Sequence, residues 1–148
     1  MFIKNLSTQN SVAITVIRLM VGIVFLSEGL QKFLFPALRG SGRFENIGFP
    51  FPEFIGPFVG SFEIICGLLV LFGLFTRFAS IPLLIIMLTA LLTTKLPILI
   101  NDGFWEMMHA SRTDWAMLLG SIFLIIQGGG KYSIDRLLLK EKNEHSQK

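Results

Sequence analysis

Long apolar runs, more than any motif, limit what this chain can fold into. The stretches Val12 to Phe35, Pro57 to Phe75 and Phe78 to Ile100 are mostly apolar, and about 20 such residues suffice for a helix to cross ~30 Å of hydrocarbon. A fourth, shorter run from Asp114 to Gln127, bracketed by Trp115 and Tyr132 as interface anchors, reads as a tilted or re-entrant helix. With 52% hydrophobic and 16% charged residues in 148, and a mean hydropathy of +0.66, lipid is the natural solvent. The expected fold is therefore all-α: an integral membrane four-helix bundle forming a single transmembrane domain over residues 1–148. Its helices are expected at about 12–35, 57–75, 78–100 and 114–127, followed by a basic cytoplasmic tail at 131–148.

Charge placement argues about partners and orientation. The net charge of +3 does not mark a nucleic-acid binder, because the basic residues gather after the last apolar run, at Lys131, Arg136, Lys140, Lys142 and Lys148. A membrane-surface tail is the better reading, with the lipid bilayer as partner. Lys4 and Arg77 fall on the same side as that tail. Arg39, Arg43, Lys95 and Arg112 fall on the other, fewer and spread over longer loops. The excess of Lys and Arg predicts both termini on the cytoplasmic side. The first run, interrupted by Arg18 and Glu28, is expected to be a retained helix and not a cleaved leader. Cys66 is alone, so no disulfide within the chain and no CxxC pair can form.

Between the first two runs lies FPALRGSGRFENIGFPFPE, whose glycines and prolines disfavour regular structure and whose phenylalanines hold it against the bilayer or over the bundle. Between the second and third, a turn of Thr76 and Arg77 makes those helices antiparallel neighbours. Gly128, Gly129 and Gly130 before Lys131 lack the strand, spacing and hydroxyl of a phosphate loop and read as a helix terminator.

Ionisable residues inside a span cost several kcal/mol unless paired or hydrated, so they face the bundle interior. Here they are Arg18, Glu28, Lys32 and Glu63. At 100° per residue, Arg18, Gly22, Phe25, Gly29 and Lys32 form one stripe with Glu28 beside it. Gly56, Gly60, Glu63 and Gly67 form another, a small-residue surface that lets a second backbone approach. Pro82, Thr89 and Thr93 share a face of the third helix, and Asp114 and Ser121 one of the fourth. Glu28 and Glu63 are expected at equal depth, ~10 Å below the outer ends of their helices. With Thr89 and Thr93, and with His109, Arg112 and Asp114 leading into the fourth helix, they define an expected pocket opening outward. In it Glu28 and Glu63 are candidate proton-relay groups, and Lys32, Thr89, Thr93, His109, Arg112 and Asp114 candidate ligand-binding groups.

A purely structural reading stands beside this one. Glu28 and Lys32, four residues apart in the favourable order, can neutralise each other, with Glu63 pinned by Lys32 or Arg112 as a packing clamp. Arg18, at the inner end, is expected to bond tail groups such as Asp135 in a structural charge pair. Glu106 and His109 form one ExxH, where a metal-binding bundle needs two copies and further carboxylates, and His145 lies in the charged tail, so no metal site is expected.

The segments RLMVGIVFLSEGLQKF, FEIICGLLVLFGLFTRF and GGGKYSIDRLL, in this order and spacing, resemble the DoxX family of small four-helix membrane proteins, over nearly the whole chain from Val12 to Leu138. The family's charged positions match Arg18, Glu28, Lys32, Glu63, Arg77 and Asp135 here. The resemblance implies an association with oxidoreductase systems, because the family is named for likeness to a membrane subunit of a thiosulfate:quinone oxidoreductase, and other members are linked with oxidative or thiol stress. No flavin, haem or iron–sulfur ligand set is present in the sequence, so no intrinsic cofactor is expected. The functional expectation is a bacterial inner-membrane accessory or subunit of an oxidoreductase system that binds quinone or a similar small lipophilic molecule, with a soluble oxidoreductase as partner. The alternatives are a small proton-coupled transporter and a non-catalytic scaffold for a soluble enzyme.

Overall fold

The computed structural model describes residues 11–138. Lys4, His145 and the basic residues Lys140, Lys142 and Lys148 lie outside the described residues, as does the tail beyond Leu138. Among the described residues there is no β-strand. The chain is an all-α membrane protein, with α1 (Ser11–Leu34), α4 (Pro52–Phe72) and the continuous stretch Thr76–Asn101 each long and apolar enough to cross a membrane. The last of these is composite: α5 (Thr76–Ala90), a π-helical turn (Leu91–Lys95) and α6 (Leu96–Asn101). The connection then forms α7 (Phe104–Ala110) before α8 (Arg112–Gln127). At 16 residues, or ~24 Å, α8 is shorter than the other three.

Helix α1 packs chiefly on α4 and α5 chiefly on α8, while contacts of α4 with α5 and of α1 with α8 close the ring. The core between them holds Val21, Phe25, Val70, Leu83 and Leu124, all essentially inaccessible. Large apolar side chains such as Ile65, Phe72 and Leu119 are exposed on the outside, as lipid-facing residues must be. The α1–α4 contact depends on facing glycines. A methyl group added at Gly29 would stand 2.8 Å from the Gly60 carbonyl oxygen, and one at Gly67 would stand 2.9 Å from the Leu26 nitrogen.

Several boundaries differ from the sequence expectation for physical reasons. The segment expected to be irregular forms two short helices, α2 (Pro36–Arg39) and α3 (Ser41–Ile47). Its phenylalanines are satisfied by packing, with Phe44 set edge-on to Phe49 at 5.6 Å, and α3 rests on α4 where Gly56 leaves room beside the Ser41 nitrogen. Helix α4 starts at Pro52 and not Pro57, since a proline in the first helical position sacrifices no hydrogen bond. Thr76 and Arg77 already belong to α5. The turn before them is Gly73–Leu74–Phe75, with left-handed backbone at Gly73 (φ 71°) and Phe75 (φ 48°), and the Asp135 carboxylate accepts the N–H groups of Phe75 and Thr76 at 2.7 and 3.2 Å.

The third span is continuous, as the sequence reading has it, but changes its winding near its end. Pro97 has no N–H to give the carbonyl one turn earlier, and the helix widens there: the Leu96 N–H reaches Leu91 O in the i to i−5 pattern of a π turn. Gly128 (φ 75°) and Gly130 (φ 74°) then end α8 as expected of a terminator.

Candidate functional site

At the end of the bundle where α1 finishes and α4 begins, a cavity of about 490 Å3 opens between the α1–α4 pair, α3, the π turn and the start of α8. Its walls are apolar, formed by residues such as Phe25, Phe44, Val59, Ile86 and Met117. Glu28 and Lys32 reach it from the last turns of α1, Glu63 from the fourth turn of α4, Thr89 and Thr93 from the end of α5 and the π turn, and Asp114 from α8.

The charges are arranged unequally. Lys32 Nζ stands 2.5 Å from Glu63 Oε2, and both side chains are nearly sealed, 10% and 3% accessible. The same ammonium group contacts the Glu28 carbonyl at 3.5 Å. Of the two pairings open from sequence, Lys32 thus joins α1 to α4, while the Glu28 carboxylate has no ion-pair partner among the described residues. Lys95 meets Asp114 at 3.3 Å and ties the π turn to α8. Arg39 and Arg43 border the cavity from α2 and α3, with no acidic group within 4 Å among the described residues. Arg43 and Glu28 also lie within electrostatic reach of Glu63.

Hydroxyl groups here are less available than their positions suggest. Thr89 donates to Ile85 O at 2.9 Å, Thr93 to Thr89 O at 2.8 Å and Thr94 to Ala90 O at 2.6 Å. Each has spent its proton on its own helix and offers only acceptor capacity. The donors left for a ligand are therefore the cationic groups.

Two expected site residues are elsewhere. His109 and Arg112 do not line the cavity: Arg112 Nη1 lies 2.9 Å from His109 Nε2 and donates to the His109 carbonyl at 2.9 Å, and both residues are exposed. Three residues apart across the α7–α8 junction, they reach each other more easily than the cavity. Among the described residues no cluster of three or more His, Cys, Asp or Glu side chains converges as a metal site would.

Arg18 and Asp135 lie at the opposite end, within electrostatic reach of each other but without a direct ion pair within 4 Å. Arg18 is 4% accessible and donates to the carbonyls of Gly129 at 2.7 Å and Tyr132 at 2.6 Å, while Asp135 holds the start of α5. The expected charge pair acts through space, while the hydrogen bonds of both groups go to backbone and Arg18 Nε is left without a partner. Open carbonyls after a glycine-terminated helix are closer to Arg18 than the carboxylate is.

Sequence reasoning missed Arg39, Arg43 and Lys95 as site residues and used them only for orientation. Lys95 carried a signal, since Pro97 two residues later withholds a helical N–H, and the π turn that results borders the cavity. Arg39 and Arg43 carried none that could be read without knowing that α3 folds back over α4 and draws α2 with it.

Comparison with known proteins agrees with this architecture. The sequence profile of the DoxX family matches residues 13–96. The chain is 50% identical over 141 residues to a protein of Mycobacterium tuberculosis named "Uncharacterized membrane protein Rv3486", covering 91% of this chain and 86% of that one. It is 32% identical over 129 residues to "Putative oxidoreductase CatD" of Bacillus subtilis, covering 85% of this chain and 87% of that one. No solved structure matches it. Glycine-interlocked apolar helices, charges turned inward and the family profile across more than half its length agree: this chain is a membrane protein of the DoxX family.

Proposed function

We propose that the protein is a membrane accessory or subunit of an oxidoreductase system that binds a quinone, or a similar small lipophilic molecule with a polar head, in the cavity between α1, α4 and the π turn. The observation that carries this reading is a buried Lys32–Glu63 pair set in an apolar cavity of about 490 Å3 next to an unpaired carboxylate and two unpaired guanidinium groups. Cavities of roughly 300–1,000 Å3 with apolar walls and a few convergent polar groups are the usual form of small-molecule sites. A quinone fits that donor set, because its carbonyl oxygens need donors, which Arg39, Arg43 and Lys32 supply, and its tail needs apolar wall. The name of the Bacillus subtilis relative supports the link to redox chemistry.

The residues divide the work. Lys32 and Glu63 fix the distance between α1 and α4 and keep a charge-compensated floor under the cavity. Glu28, with its carboxylate free, is the group that exchanges a proton with a bound head group. Arg43 and Arg39 hold negative charge at the rim, and Asp114 keeps Lys95 oriented on the opposite wall. A bound quinone would supply electron-accepting chemistry that none of these side chains possesses. In this reading the cavity opens outward from a bacterial inner membrane, the chain is multi-pass and both termini are cytoplasmic, following the Lys and Arg bias. A proton-coupled permeation pathway gains no comparable support, since Arg18, its one inner stepping stone, is spent on the carbonyls of Gly129 and Tyr132.

The test is an infrared difference titration of protein carrying 13C-labelled glutamate, reconstituted in lipid, with a short-chain benzoquinone or naphthoquinone. Carboxylate bands that change on saturation, and lose that change in Glu28→Gln, support the assignment. Unchanged bands at saturating quinone reject it.

A further inference from the structure

A second cavity, of about 570 Å3, lies at the other end of the molecule, between the start of α5, the glycine turn after α8 and the segment after it. Arg77 and Arg136 line it, both exposed and neither with an acidic partner within 4 Å among the described residues. The one acidic residue in the lining, Asp135, already accepts the N–H groups of Phe75 and Thr76 with its two oxygens. The cavity is therefore cationic, with its carboxylate committed to backbone.

Two further observations point to a ligand. Thr76 is completely buried in the cavity lining, beside Gly129, and its hydroxyl has no hydrogen-bond partner. A buried hydroxyl left unmade costs about 1–3 kcal/mol, so a partner supplied from outside is the economical explanation. The surroundings also fix the depth: Phe75 and Phe78 are 60% and 72% exposed beside the arginines, and Lys131 lies 5.7 Å from the centre of the Tyr132 ring just beyond. An exposed Tyr flanked by Lys and Arg, as Tyr132 is here, marks the level of lipid head groups. Basic notches between helices at that level suit phosphate, which guanidinium groups bind with paired N–H donors.

We infer that this notch is a phosphoryl-anion site, occupied by the head-group phosphate of an anionic phospholipid, with Arg77 and Arg136 as its charged clamps and the Thr76 hydroxyl as a donor at its floor. The site lies far from the outer cavity and does not depend on what that cavity binds.

The test uses the full-length protein in nanodiscs of phosphatidylcholine with a minor fraction of phosphatidylglycerol, followed by release into mild detergent and native mass spectrometry of retained lipid. Wild type should keep one phosphatidylglycerol in preference to phosphatidylcholine. Arg77→Gln/Arg136→Gln should lower that retention roughly tenfold or more, and Thr76→Val should lower it by a smaller factor, while Lys131→Gln should leave it unchanged. A second arm adds inorganic phosphate at millimolar concentration: displacement of the lipid by phosphate supports the same anion site with a soluble source, and lack of displacement supports the lipid source. Both arginines are exposed, so the double variant should keep the wild-type melting curve, which verifies its fold. Equal retention of the two lipids by wild type, or equal retention by wild type and the double variant, would overturn the inference.

Discussion

At the end of the bundle where α8 stops, Arg18 is buried and gives two N–H groups to backbone carbonyls, and Asp135 takes two from the first residues of α5. At the end where α1 stops, Lys32 and Glu63 meet side chain to side chain, and a free carboxylate and two free guanidinium groups stand around a cavity. Both ends place charge inside a membrane bundle, yet Arg18 and Asp135 are held by backbone, whereas the cavity at the second end is bordered by charge without a fixed partner among the described residues. Backbone partners cannot be exchanged for a ligand without unfolding a turn, whereas side-chain partners can. The Arg18 and Asp135 arrangement fastens helix ends together and leaves any binding at that end to the exposed Arg77 and Arg136, whereas the second arrangement is suited to binding within the bundle.

That contrast can be broken by substitution. The largest effect is expected at Lys32→Met, which strands Glu63 in a nearly sealed position and should cost about 3–5 kcal/mol, read by unfolding in detergent micelles. The double variant Lys32→Met/Glu63→Leu should recover most of this loss. Recovery without quinone binding would identify the pair as part of the site and not merely a clamp. Next, Arg18→Gln should lower stability by about 2–4 kcal/mol by leaving the Gly129 and Tyr132 carbonyls short of donors. If the two ends are independent, quinone affinity in the surviving folded fraction should stay at the wild-type value.

Smaller effects sharpen the comparison. Gly29→Ala should cost about 1–3 kcal/mol, because its methyl group has no space beside Gly60 and Ile64, and thermal melting should show it. Glu28→Gln should change stability by less than about 1 kcal/mol, since the carboxylate has no partner to lose, yet weaken quinone binding roughly tenfold, a difference of about 1.4 kcal/mol. The smallest change is expected at His109→Ala, within about 0.5 kcal/mol and with unaltered binding, because its bond to Arg112 is exposed.

The fold class was legible because apolar run length is a one-dimensional property that the bilayer reads directly. The inward stripes were legible for the same reason: a helix converts spacing into faces, and Gly22, Gly29, Gly60 and Gly67 meet across α1 and α4 as the period requires. What the spacing hid was connection. Whether Lys32 turns to Glu28 on its own helix or to Glu63 on the next depends on an interhelical distance set by those glycines. The same is true of α2 and α3, where apolar side chains outweigh the turn-forming composition and bring Arg39 and Arg43 over the cavity. At the other end the types Arg18 and Asp135 suggested a pair. The sequence does not display carbonyl groups, which are what Arg18 holds.

The most direct measurement is photoaffinity labelling of the reconstituted protein with an azido-benzoquinone bearing a short apolar tail, with labelled residues mapped by mass spectrometry and unlabelled quinone as competitor. The account predicts competable labels on cavity-wall residues such as Phe44, Met87 and Met117, weakened together in Glu28→Gln. Labels confined to lipid-facing residues such as Phe62 and Leu119, and indifferent to competitor, would contradict it.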